Sequence, residues 1–78
     1  MALTQEDMHR RSIEDIEVEL KEVENATIPD IKKQGLYRLG GIITTAMRLE
    51  AISHDEFWHY VDIEQDIWDE IINRAKED

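Results

Sequence analysis

The chain has 78 residues, of which 19 are acidic and 9 basic, and it contains no cysteine. A domain of this length buries only about 60% of the surface its unfolded chain exposes. With no disulfide or thiolate metal site to brace it, helix packing or a second subunit has to supply the stability. The formal net charge of −10 repels phosphate backbones and anionic membrane surfaces alike, which argues against direct nucleic-acid binding and makes a basic protein the favoured partner.

Apolar runs such as Ile42-Ile43 and Ile71-Ile72 fall far short of the roughly 20 residues a membrane-spanning helix needs. The opening Met1-Ala2-Leu3-Thr4-Gln5-Glu6-Asp7 lacks the basic and apolar regions of a secretory signal, so the expected location is cytoplasmic.

Thr4 and Asp7 have capping-box spacing and predict a helix start just after Thr4. Ile13, Ile16, Leu20 and Val23 then recur three, four and three residues apart, a narrow seam among acidic neighbours. The pattern breaks near Asn25, and Pro29 fits the first turn of a second helix with Thr27 or Ile28 as its cap. Ile31, Leu36, Leu39, Ile42, Ile43, Ala46, Met47 and Leu49 cover more than one face of that helix, which makes it the central and most buried one.

Gly35, Gly40 and Gly41 each cost about 1 kcal/mol against alanine in a helix interior and need a cause. Gly35 could end a short helix. Alternatively, Gly40, Gly41, Thr44 and Thr45 form a small-residue surface on one long helix, the preferred reading. Ser53 with Glu56 makes a second capping box, flanked by Ile52 and Phe57 in staple positions. The third helix carries Phe57, Tyr60, Val61, Ile67, Trp68, Ile71, Ile72 and Ala75 toward the core and dissolves into Lys76-Glu77-Asp78.

These signals predict one all-α domain over residues 1–78, with helices at about 5–25, 29–51 and 54–75. The fold class is a three-helix bundle or a helical hairpin with a docked third helix, and dimerisation is expected from the seam of the first helix and the glycine-threonine surface of the second.

Charge is divided by segment. Residues 4 to 26 hold eight acids and three bases, residues 31 to 49 four bases and no acid, and residues 53 to 78 nine acids and two bases. A basic central helix between two acidic ones favours the antiparallel register.

Catalytic signatures are missing. Ser12 and Ser53 sit in no nucleophile elbow, and Gly40-Gly41 is followed by no phosphate-loop lysine. Two Glu-x-x-His motifs, Glu6 with His9 and Glu56 with His59, have the spacing used in di-iron bundles. Such bundles also need an inward-facing glutamate from each of two further helices, and the second helix offers only Glu50, at its far end, so no metal or other cofactor is expected. The chain reads as a binding protein and not an enzyme.

Two surfaces are candidates. On the third helix Asp55, Asp62, Asp66 and Asp69 recur at seven, four and three residues along one face, completed by His59. Carboxylates spaced this way on a rigid rod imitate a phosphate run and suit a basic, nucleic-acid-binding surface. Trp58 flanks the row, either packed on a neighbouring helix or serving as an interface anchor. The second candidate is Tyr37, Gly40, Gly41, Thr44 and Arg48, a surface for dimerisation or for a small ligand or nucleotide held between subunits, with Arg48 as the anion-binding group.

At the level of composition alone the chain resembles the small acidic inhibitors and antitoxins of phages and mobile elements. The expected function is therefore regulatory or inhibitory binding that occludes a basic surface on a partner protein.

Overall fold

Two capping boxes and one proline set the helix starts. In the computed structural model, which describes residues 4–77, α1 spans Gln5–Asn25, α2 Pro29–Arg48 and α3 His54–Glu77. The start at Met1-Ala2-Leu3 and the last residue of the charged tail, Asp78, lie outside the described residues. Thr4 accepts from the Asp7 N–H at 3.0 Å while the Asp7 carboxylate accepts from the Thr4 N–H at 3.5 Å. Ser53 and Glu56 repeat the exchange at 3.1 and 2.9 Å. Each box satisfies two backbone donors that a helix start would otherwise leave open. Pro29 opens α2, and the cap residue is Ile28, which makes no side-chain capping bond.

α2 is the central element and packs against both α1 and α3. The core is assembled from Ile16, Leu20 and Val23 of α1, Leu36, Leu39, Ile43 and Ala46 of α2, Ala51 and Ile52 of the connection, and Tyr60 and Ile67 of α3. Ile16, Val23, Leu36, Leu39 and Ile43 are almost wholly enclosed. Truncating any of the larger ones to alanine would cost about 2–5 kcal/mol, a large share of what so short a chain can hold. The seam expected on α1 is thus consumed within the chain, with Ile13 packed at its edge, and it offers no face to a second copy.

α2 runs unbroken through all three glycines, none of which has a positive φ. Gly35 is the position of close helix approach, because a β-carbon there would meet the side chain of Val23. Gly40 faces the Glu64 carboxylate of α3, and Gly41 has open space.

The second helix ends at Arg48, three residues earlier than its apolar pattern suggests. Glu50 takes φ 58°, its N–H donates to the Met47 carbonyl at 3.0 Å, and the Ala51 N–H donates to the Ala46 carbonyl at 2.9 Å. This is a Schellman closure with glutamate where glycine is usual. The Gln5 amide donates to the freed Glu50 carbonyl at 2.9 Å, tying the start of α1 to the turn. α3 continues to Glu77, past the expected end at 75.

Four residues assigned to the core by periodicity lie largely outside it. Ile31, Leu49 and Ile72 are 50%, 61% and 47% exposed, and Ala75 is exposed. The apolar arcs of α2 and α3 are wider than the faces that one neighbouring helix on each side can cover.

Candidate functional site

α3 is held by one face. Tyr60 and Ile67 are buried, and Phe57, Ile63, Trp68 and Ile71 pack around them. The Tyr60 hydroxyl donates to Glu17 Oε1 of α1 at 2.8 Å, and burial, then that bond, raises the phenol to about 12. At the helix start, Glu56 Oε2 lies 2.7 Å from His9 Nε2 of α1. The Ser53 backbone N–H first, and His9 second, hold the Glu56 carboxyl below its ordinary range.

The opposite face of α3 carries Asp55, His59, Asp62, Asp66 and Asp69, every one of them exposed. Among the described residues none of these carboxylates has an ion-pair partner. Asp69 accepts only from the Gln65 amide, at 3.4 Å. From Asp55 to Asp69 the helical rise amounts to about 21 Å. Trp58 is 59% exposed and leans edge-on against Phe57 of its own helix, ring centroids 5.2 Å apart. It aligns at intervals of four, three and four residues with Asp62, Gln65 and Asp69, so an unburied indole stands at the head of the acidic row.

The second surface is only partly assembled as the spacing suggested. Tyr37 is 72% exposed and meets Trp68 of α3 edge-on at 5.4 Å. Gly41 and Arg48 are exposed and Thr44 half-buried, and no acidic group among the described residues pairs with Arg48. Gly40 does not belong to this exposed group, since a β-carbon there would lie 3.2 Å from Glu64 Oε2.

Glu64 escaped the sequence reading. It occupies a core-facing position of α3, one turn after Tyr60, and burial raises its carboxyl above the ordinary range. No local signal separates it from the other acids of this helix; only the neighbouring α2 reveals it.

The basic character of α2 is used once against α1, where Arg38 Nε donates to Glu19 Oε1 at 2.8 Å. The Glu-x-x-His motifs meet through the single His9 to Glu56 contact, and among the described residues no group of three or more histidines and carboxylates could hold a metal ion. A cleft of about 210 Å³ beside the α1–α2 turn is lined by Pro29, Lys32, Ile71 and Arg74 among others, and a more open one of about 510 Å³ lies between the start of α1 and the α2–α3 turn, lined by Gln5, His9, Glu50 and Glu56 among others. No helix is long and apolar enough to cross a membrane among the described residues. No family model, no curated protein and no solved structure matches the chain.

Proposed function

We propose that the chain is a small regulatory or inhibitory binding protein that presents the acidic face of α3 to a basic, nucleic-acid-binding surface of a partner protein and occludes it. The observation that carries this reading is the row of exposed, unpaired carboxylates from Asp55 to Asp69 with the exposed Trp58 at its head. An acidic face that served folding would be paired with the basic residues of α2. This row points away from α2 and leaves its charge for another molecule.

The two kinds of group have separate tasks. Carboxylates on a rigid helix attract a basic surface over a Debye length of about 8 Å and speed encounter more than they strengthen the final complex. Tryptophan supplies the desolvated contact that slows dissociation.

The test is capture of partners from the host with the wild-type chain, followed by association kinetics of the captured protein with wild type and with an Asp62→Asn, Asp66→Asn, Asp69→Asn triple variant. The expected results are that the wild type displaces nucleic acid from the partner, and that the variant associates about tenfold or more slowly at low salt with the difference shrinking as salt rises. Equal rates and equal salt dependence would remove the acidic row from the mechanism.

A further inference from the structure

α3 carries two apolar seams. The first, Tyr60, Ile67 and Ile71 with Glu64 between them, faces the core. The second is Trp58, Val61, Gln65, Trp68 and Ile72, spaced three, four, three and four residues apart, the interval at which a helix presents one line of side chains to another helix. Among the described residues nothing covers this second line fully: Trp58 is 59% and Ile72 47% exposed.

α2 carries a matching outer line at the same intervals, Gln34, Tyr37, Gly41, Thr44 and Arg48. Tyr37 is 72% exposed, and an added β-carbon at Gly41 would touch nothing within 4 Å. The Tyr37 to Trp68 ring contact places the two lines side by side on one face. That contact and the meeting of Gly40 with Glu64 also set the level of the antiparallel helices. Counted from those two contacts, Gly41 is level with Gln65, Thr44 with Val61, and Arg48 with Trp58.

We propose that this α2–α3 face is the interface of a two-fold dimer in which α2 of one copy lies along α3 of the other. Charge selects the occupant and the arrangement. The outer line of α2 ends in unpaired Arg48 on a basic helix, whereas α3 is acidic, so crossed pairing sets Arg48 against Trp58 and Asp62 of the partner. Those neighbours offer a cation–π contact and a carboxylate together. Pairing α3 with α3 would instead bring two acidic helices together. A two-fold axis along the helices preserves the levels, sets Tyr37 against the partner's Trp68, and repeats every contact twice.

Gly41 then has its cause. In the isolated chain it costs helix stability and relieves no clash, while in the dimer it lets the facing helix approach. Trp58 and Asp62 enter this interface, whereas Asp55, His59, Asp66 and Asp69, all exposed, lie on the adjacent side of α3 and stay open. The dimer is argued separately from the partner-occlusion reading, and the two compete for Trp58 and Asp62.

The test uses the full chain, which has no cysteine. Sedimentation equilibrium should give a mass about twice the 9.2 kDa of one chain, falling toward the single-chain value on dilution. Gly41→Cys and Gln65→Cys proteins, each carrying one thiol, should form several-fold more disulfide-linked dimer when mixed and oxidised than either forms alone. A single-chain mass throughout the high micromolar range overturns the dimer. A Gly41→Cys protein that cross-links to itself as readily as to the mixed partner overturns the crossed arrangement. The reduced Gly41→Cys protein must still sediment at the doubled mass with unchanged helix content; if its thiol blocks the approach, Thr44→Cys with Val61→Cys, a pair at one level of the two lines, takes its place. Failure here leaves the acidic-row test untouched, because Asp66 and Asp69 lie outside the interface and Asp62 meets only Arg48 there.

Discussion

Val23 of α1 leans over Gly35 of α2 so closely that a β-carbon on Gly35 would lie 2.7 Å from Val23 Cγ2. Valine is stiff about its first side-chain torsion and this one is 2% exposed, so it has no room to retreat. The helices themselves would have to part.

Gly35→Ala should therefore destabilise the fold even though alanine is the better helix former. The propensity gain is about 1 kcal/mol, against about 1–3 kcal/mol for forcing an extra methyl into a packed contact. Thermal unfolding should move down by several degrees. Gly41→Ala, where nothing lies within 4 Å, should raise stability by up to about 1 kcal/mol when measured dilute enough to exclude self-association. Equal and positive shifts for both variants would mean that α1 and α2 do not approach at Gly35.

The turn after α2 offers the reverse case, a residue that glycine would improve. Glu50 sits at φ 58°, a left-handed conformation that costs a residue with a β-carbon about 1–2 kcal/mol and costs glycine little. Among the described residues its side chain makes no hydrogen bond or ion pair; the carbonyl is what Gln5 reaches. Glu50→Gly should raise the urea midpoint by the equivalent of about 1 kcal/mol with the slope unchanged. A lowered midpoint would show that the glutamate side chain holds the turn by some contact of its own.

These two positions show where the sequence could be read and where it could not. Thr4 with Asp7, Ser53 with Glu56, and Pro29 act within four residues of themselves, and the helix starts they predict agree with the structure. The end of α2 was hidden because the closing residue is Glu50 and not glycine, so the apolar pattern ran on to Leu49 and beyond. Gly35 was legible as an anomaly but not as a close approach, because its cause is Val23, twelve residues away on another helix. Glu64 was invisible for the same reason: a carboxylate facing α2 looks, in one dimension, like its solvated neighbours. The acidic row was legible as a face and its exposure agrees with the structure. A partner for it was not, because a partner leaves no periodicity in the chain it recognises.

The last prediction concerns pH and follows from three kinds of titrating group. Hydrogen bonds from Thr4, its hydroxyl the larger influence, hold Asp7 below the ordinary carboxylate range, and the Ser53 N–H does the same for Glu56. Depressed carboxyls contribute stability above their unfolded values and lose it as pH falls through their folded ones. Glu64 is displaced upward by burial, so its contribution has the opposite sign. It is present below the unfolded value and lost as pH rises through the folded one, leaving an ionised Glu64 as a cost at neutral pH. Tyr60, raised to about 12 from 10.0, contributes below its unfolded value and loses that contribution as pH climbs through the interval between the two. Glu64→Gln keeps the shape and removes the titration. At neutral pH it should unfold at a higher temperature than the wild type, and the advantage should vanish as pH falls through the carboxylate range. Tyr60→Phe should be less stable by about 1 kcal/mol at neutral pH, with the deficit closing only in strong alkali. Thermal melts of the three proteins across the pH range decide both points. A Glu64→Gln protein less stable than wild type at neutral pH would mean that the carboxylate is held by a favourable contact, and that Gly40 leaves room for that contact and not merely for a tolerated charge.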